Sequence, residues 1–502
     1  MESKLKLAPE RAAHRSGWQV DFFRSLFRWH EPDPDLLWRF KAGLTNQLFR
    51  TNADHLLGAE IPKKKSARSF RILLLGDSSP VGLGLKIRWQ AFGERARELL
   101  EMQYGERRDF ELINAAVSGY TSEQIARFLR LKGWQYQPDV VVLYCGNNDA
   151  SISGTVTDRR LLETQRFLAA RRMLAQLAFY RILSGILKPG EAFESGAGES
   201  LKVRVSAEEF GQNLVEIARQ CQKHRRPLIV LKPPVPYLWP AGLQFKVFTH
   251  LGGETGEFLM PEAMIKILGR KLKYCLSQSV LTQSPDRLDP FTQRVYSAAF
   301  SDSMPPAAAV TYYRKLIAEG RDDPVQFNNL GVSFWELHQY EQADSCLRLA
   351  RDLFNRLYGK SSSPAVAAAG APLLFNLGIN LLSDRKENLT EFADTTGLAF
   401  AYLDSALQAD FFSLRIKKEY GRKLDLLTSF ENVTVLDLPE LFRKSGGEKL
   451  FIDHCHPTEE GHRLIAEEVF KVIQTHLPVA ERKQSRKSAG SQGGLIINRY
   501  YN

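Results

Sequence analysis

Hydrophobic positions follow two alternating rhythms between residues 71 and 232. Short, β-rich apolar runs occur at Arg71–Leu75, Phe110–Asn114, Val140–Tyr144 and Leu228–Leu231. Between them lie stretches with helical spacing: Trp89–Tyr104, Ser122–Leu131, Leu161–Leu187 and Ala207–Lys223. The run at Val140 is apolar throughout, as expected of a central parallel strand covered on both faces. Ser206 followed by Glu209 forms a capping box that opens the helix at Ala207. A βαβα series predicts an α/β fold, a parallel sheet clothed by helices. The series stops near Tyr237 and resumes with a strand at Val433–Asp437 and a helix at Glu459–Thr475.

The pattern divides the chain as follows. Residues 1–66 are an N-terminal helical and linker segment. Residues 67–236 and 428–480 are two parts of one α/β domain, 237–427 a mainly helical insertion, and 481–502 a flexible tail. In the first segment Trp18, Phe22, Leu26 and Trp29 recur at helical spacing with Arg24 and Arg28 between them. Such a helix docks on the body of the protein or contacts a membrane surface peripherally. The Pro/Asp punctuation of Glu31–Phe40 predicts an extended linker. Inside the insertion, Phe327, Leu330, Gly331, Phe334, Ala343, Leu347 and Ala350 describe a helical hairpin resembling one tetratricopeptide repeat, at about 324–357. Leu374–Gly378 echoes its start, but the positions after it do not follow. A lone repeat does not make a solenoid, so a short helical platform supported by the α/β domain is expected rather than a free peptide-binding array, and whether the insertion shapes the substrate pocket or binds a protein partner stays open.

The 502 residues carry a net charge of +11, a small excess for so long a chain. Its local clusters, Lys63–Lys65 and Arg482–Lys487, read as solvated linkers, and no nucleic-acid partner is expected. Five widely spaced cysteines suit free thiols rather than a bridge network. No secretory signal or apolar run long enough to span a bilayer is visible, and a cytoplasmic or peripherally membrane-associated protein is the expectation.

The chemistry lies at predicted strand ends, where ligands of open α/β sheets bind. The first strand runs into Gly76-Asp77-Ser78, the second into a loop with Gly119, the third into Gly146-Asn147-Asn148-Asp149. The loop after the last strand carries Asp453-His454-Cys455-His456-Pro457. A serine hydroxyl needs a base to become a nucleophile; His456 can serve, with Asp453 holding its tautomer. The N–H groups of Ser78 and Gly119 and the side-chain amide of Asn148 can donate to an oxyanion. No G-x-S-x-G elbow occurs in the chain. Asp453, His454, Cys455, His456 and His462 are also potential metal ligands, but no partner motif accompanies them and no metal or other cofactor is expected. Asp77 is expected to order the serine loop and Asp149 to cap a turn or helix.

Taken together, Gly-Asp-Ser, the glycine of a second block, Gly-x-Asn-Asp and Asp-x-x-His-Pro resemble the SGNH (GDSL-like) hydrolases over roughly Arg71–Lys232 and Asn432–Gln474. The resemblance implies a three-layer, flavodoxin-like parallel sheet of order 2-1-3-4-5. It implies Ser78 as nucleophile, Asp453 and His456 as its triad partners, and Ser78, Gly119 and Asn148 as the oxyanion hole. The implied activity is that of a serine esterase acting on a small-molecule, lipid or glycan ester. An acyltransferase with the same triad and a silent scaffold are the alternatives. Two further residues are candidates for substrate contact. Lys232 ends the fourth strand; Arg415 shares with Asp410 and Phe411 the helical run before the last strand. A separation of five residues makes Asp410 and Arg415 a poor same-face pair, so solvated helix residues are the simpler expectation there.

Overall fold

The computed structural model describes residues 29–45, 50–62, 64–85, 90–154, 156–166, 202–239, 305–320, 324–360, 364–384, 397–411 and 414–478. The stretch Trp18–Leu26, most of the helix expected at 161–187, the first part of the insertion and the tail after 480 lie outside these residues.

The strands are β1 (His30–Asp33), β2 (Leu37–Phe40), β3 (Ser69–Gly76), β4 (Asp109–Asn114), β5 (Val140–Tyr144), β6 (Ile152–Gly154), β7 (Lys202–Val203), β8 (Leu228–Lys232) and β9 (Val433–Asp437). Five of them form one parallel sheet, as the α/β pattern predicts, and its order, β4-β3-β5-β8-β9, is the 2-1-3-4-5 order that the resemblance implied. Alternate residues on each strand face opposite sides. Leu73, Leu75, Val141, Leu143 and Val230 bury against one helical layer. Ile72, Leu74, Val140, Val142 and Ile229 bury against the other.

The helices are α1 (Ser78–Val81), α2 (Phe92–Tyr104), α3 (Ser122–Leu131), α4 (Asp158–Arg166), α5 (Ala207–Lys223), α6 (Pro306–Ala318), α7 (Pro324–Glu336), α8 (Tyr340–Tyr358), α9 (Pro364–Asp384), α10 (Leu398–Ala409), α11 (Lys418–Asp425), α12 (Leu438–Ser445) and α13 (Glu459–Ile473). Helices α3, α5 and α11 supply the first layer through Ile125, Leu129, Phe210, Leu214, Ile217, Tyr420 and Leu424. Helices α2, α12 and α13 supply the second through Phe92, Leu100, Leu438, Phe442, Ile465 and Val469. The expected capping box is present at α5: Ser206 Oγ accepts the Glu209 N–H at 3.2 Å, and Glu209 accepts the Ser206 N–H at 3.0 Å.

Three expectations require correction. Glu31–Phe40 is not a linker. Strands β1 and β2 pair antiparallel, and Asp33 Oδ1 accepts the N–H groups of Asp35 and Leu36 across the turn. Leu36, Leu37, Trp38 and Phe40 are buried in the first core layer, and that burial holds the hairpin down. The insertion also ends earlier than 427, because Tyr420, Leu424 and Leu427 belong to the core of the α/β body. Finally, Leu374–Gly378 does begin a second hairpin. Gly331 of α7 lies against Leu347 and Ala343 of α8, and Gly378 of α9 lies against Leu403 and Ala399 of α10 in the same way. A Cβ on Gly331 would come within 2.7 Å of the Leu347 Cγ, and on Gly378 within 2.6 Å of the Leu403 Cγ. The second partner helix arrives later in sequence because the connection between α9 and α10 is longer.

Candidate active site

Ser78 is the first residue of α1, immediately beyond the carboxyl end of β3. Asp77 caps this turn: its Oδ1 accepts the Ser79 N–H at 2.9 Å, as the sequence suggested. Complete burial raises the Asp77 pKa to about 6, against the Ser79 N–H and the positive field of His456. The loops after β4 and β5 flank Ser78, because these strands are the two neighbours of β3.

His456 and Asp453 lie on the loop leading into α13. Asp453 Oδ1 accepts the backbone N–H groups of Cys455 (3.0 Å) and His456 (2.9 Å), tying the loop into a tight turn. The Ile452 N–H donates to the His456 carbonyl at 2.8 Å and closes it. Asp453 Oδ2 lies 2.7 Å from His456 Nδ1, and His456 Nε2 lies 2.7 Å from Ser78 Oγ. A carboxylate only accepts, so Nδ1 carries the imidazole proton and Nε2 accepts from the serine hydroxyl. Burial alone would raise the Asp453 pKa, but His456 and then His454 outweigh it and hold the carboxyl well below its usual range. Burial opposes a charge on His456, yet the Asp453 carboxylate dominates and raises its pKa well above 6.5.

Gly119 and Asn148 stand side by side: Asn148 Nδ2 donates to the Tyr120 carbonyl at 3.0 Å. Gly119 has φ +82, a left-handed conformation that favours glycine. Its carbonyl accepts from Arg204 Nη1 at 2.8 Å. The Gly119 N–H has no hydrogen-bond partner among the described residues.

Residues 74–247 match the model of the GDSL-like Lipase/Acylhydrolase family. The match of this segment to a GDSL-like lipase/acylhydrolase domain supports a hydrolase acting on ester bonds. Among solved structures the chain is similar to a lipase/acylhydrolase from Enterococcus faecalis, at 17% identity over 38% of this chain and 72% of that one, with a TM-score of 0.20. It is similar to the psychrotrophic esterase EstA from Pseudoalteromonas sp., at 18% identity over 46% and 95% of the two chains, with a TM-score of 0.21. It is similar, too, to a mutant of Axe2, an acetyl-xylooligosaccharide esterase from Geobacillus Stearmophilus, at 13% identity over 48% and 98%, with a TM-score of 0.22. No curated protein matches the chain. The matched lipase/acylhydrolase segment contains Ser78, Gly119 and Asn148; Asp453 and His456 lie beyond it and reach Ser78 only through the fold.

The two candidate substrate contacts are engaged elsewhere. Lys232 Nζ lies 2.9 Å from Asp425 Oδ2, an ion pair that ties β8 to α11. Arg415 and Asp410 are not solvated helix residues: α10 ends at Ala409, and both side chains are almost wholly buried. Arg415 Nη2 pairs with Asp410 Oδ2 at 3.1 Å, and its Nη1 donates to the carbonyls of Pro236 and Trp239. The helical spacing rule fails here because the chain has left the helix between the two residues. The role this geometry gives Arg415 is to join both ends of the insertion beside the histidine loop, where the Trp239 ring packs on His454 with centroids 5.7 Å apart. Lys417 completes the junction by donating to the Leu407 and Asp410 carbonyls, and burial lowers its pKa to about 7.

Asp149 meets the start of α3, accepting from Ser122 N (2.9 Å) and Ser122 Oγ (2.6 Å). Burial raises its pKa to about 7 despite these bonds. Of the potential metal ligands, Asp453, Cys455 and His456 set atoms within 4.8 Å of one another, and both imidazole nitrogens of His456 are taken by Asp453 and Ser78. His462 is turned away and accepts the Phe92 N–H at 3.2 Å through Nδ1.

Sequence reasoning passed over Trp38 and Asn147. Trp38 Nε1 donates to the Ser118 carbonyl at 3.1 Å, beside Gly119. Asn147 Oδ1 accepts the Ile416 N–H at 3.2 Å, which docks the end of the insertion on the loop after β5. The signal for the hairpin was present in the paired Pro-Asp steps before Leu36–Phe40, a turn preceding an apolar run.

Proposed function

We propose that the chain is a serine esterase that hydrolyses a carboxylic ester through an acyl-serine intermediate. The observation that carries this reading is the continuous line from Ser78 Oγ through His456 to Asp453, with 2.7 Å at each junction. Ser78 Oγ attacks the ester carbonyl carbon while His456 Nε2 takes the hydroxyl proton. Asp453 keeps Nδ1 protonated and stabilises the imidazolium that forms. The tetrahedral oxyanion accepts from the N–H groups of Ser78 and Gly119 and from the Asn148 amide. Collapse breaks the bond to the alcohol oxygen, and His456 returns its proton to the leaving alcohol. Water, deprotonated by His456, then attacks the acyl-serine, and the carboxylic acid departs as Ser78 regains its proton.

The substrate we assign is an O-acyl ester of a small molecule, a lipid or a glycan. The α7–α8 and α9–α10 hairpins are read as tetratricopeptide-like units, a reading supported by the matching approach of each glycine to its partner helix. Ser78→Ala tests the function: covalent labelling by a fluorophosphonate and turnover of p-nitrophenyl esters are both expected to vanish. Labelling that survives the substitution refutes the nucleophile. A graded series from p-nitrophenyl acetate to palmitate then reads the acyl preference.

A further inference from the structure

The loop from Ser118 to Tyr120 has its three successive carbonyls held by three different side chains. The Ser118 oxygen accepts from Trp38 Nε1 at 3.1 Å, the Gly119 oxygen from Arg204 Nη1 at 2.8 Å, and the Tyr120 oxygen from Asn148 Nδ2 at 3.0 Å. Each bond fixes one peptide plane. The plane that includes the Gly119 N–H is the one whose carbonyl belongs to Ser118, and Trp38 holds it. In a planar trans peptide the C=O and N–H point in opposite directions. An indole gripping the carbonyl from the hairpin side therefore turns the Gly119 N–H away from the hairpin. Glycine by itself adopts positive and negative φ about equally readily, so this plane has no intrinsic preference to keep it there.

Trp38 is itself fixed by that loop and by the start of α3. Its carbonyl accepts from Tyr120 Oη at 2.7 Å, and the carbonyl of Leu36 accepts from Gln124 Nε2 at 2.8 Å. The Trp38 ring lies 3.2 Å from where a Cβ on Gly119 would sit, and the Arg204 guanidinium stands over that ring, 5.4 Å from its centroid. Arg204 is buried and paired with the buried Asp158 at 2.8 Å. The hairpin and the loop after β4 are thus one interlocked unit.

We propose that Trp38 is a positioning residue that orients the Gly119 N–H toward the oxyanion, which makes the β1–β2 hairpin part of the esterase machinery. The inference rests on the serine-esterase reading given above and assigns its Gly119 donor a supporting contact. Trp38→Phe keeps an aromatic ring against Gly119 and removes only the donor and part of the ring. Where that variant folds poorly, benzothienylalanine at position 38 replaces the N–H by sulfur at nearly the same volume. Expected for either is a fall in kcat of roughly 3- to 12-fold, the scale of one lost hydrogen bond, with KM for a p-nitrophenyl ester unchanged. Affinity for an alkylboronic acid, which forms a tetrahedral adduct on serine, is expected to fall by the same factor as kcat/KM. Endpoint titration with a fluorophosphonate is expected to remain stoichiometric. Arg39→Gln, which removes ion pairs within the hairpin to Glu31 and to Asp33 but no contact with the loop after β4, is expected to keep wild-type kcat in the folded protein. Wild-type kcat and boronate affinity in the Trp38 variants overturn the proposal, as does a lowered thermal midpoint with both constants unchanged. Failure of the underlying reading looks different: wild-type protein then binds no boronate and Ser78→Ala retains turnover.

Discussion

Replacing Asp453 by asparagine separates catalysis from folding in one substitution. Asp453 Oδ1 accepts two backbone N–H groups, from Cys455 at 3.0 Å and His456 at 2.9 Å. In Asp453→Asn those donors require the amide oxygen at the Oδ1 position, since the NH2 group cannot accept them. The NH2 group then occupies the Oδ2 position, 2.7 Å from His456 Nδ1. It donates to Nδ1, which must be unprotonated, and the imidazole proton moves to Nε2. Facing Ser78, Nε2 can no longer accept. A neutral hydrogen bond replaces a charge-assisted one, so the stability cost is about 1 kcal/mol. The wrong tautomer is expected to lower kcat by roughly 10⁴-fold, about 5.4 kcal/mol. The assay is p-nitrophenyl butyrate turnover beside thermal unfolding followed by circular dichroism. A fall of less than about tenfold in folded protein, or one matched by the loss of folded protein, refutes the tautomer argument.

Other expectations follow from the same geometry. Asn148→Ala removes a proposed oxyanion donor and is expected to lower kcat by roughly 100- to 1,000-fold, about 2.7–4 kcal/mol, in steady-state assays; a near-wild-type rate removes Asn148 from the hole. Arg415→Met removes one side of the buried pair with Asp410, and chemical denaturation is expected to register a loss of about 3–5 kcal/mol with KM unchanged in the folded enzyme. A raised KM with little change in stability would instead restore Arg415 as a substrate contact. In the proposed reaction His456 must be neutral to accept the serine proton, and Asp453 raises its pKa well above 6.5. The acid limb of kcat/KM against pH is therefore expected above that value, with activity lost as pH falls through it.

The elements were legible wherever their cause is local. Ser206 and Glu209 are three positions apart and satisfy each other's N–H groups at the start of α5, so the cap could be seen from residue types alone. Val140–Tyr144 is apolar on both faces because helices cover both, and its limits follow from that pattern. The hairpin at His30–Phe40 was less visible. Its prolines and aspartates suit an open linker equally well, and only packing against the core chooses between the two. The later start of α10 likewise concealed the second helical hairpin, whose contacts depend on space rather than on a fixed offset.

What the amino-acid order determined unaided was the α/β rhythm, the Ser78 turn and the residue types able to complete its chemistry. Folding alone decided which of those groups meet. It set His456 on Ser78, turned Arg415 inward onto Asp410, and gave the Ser118 carbonyl to Trp38. The reason is physical: periodicity and capping are satisfied within a few residues. The partner of a buried polar atom, by contrast, is whichever group packing brings within about 3 Å, however far away it lies in the chain.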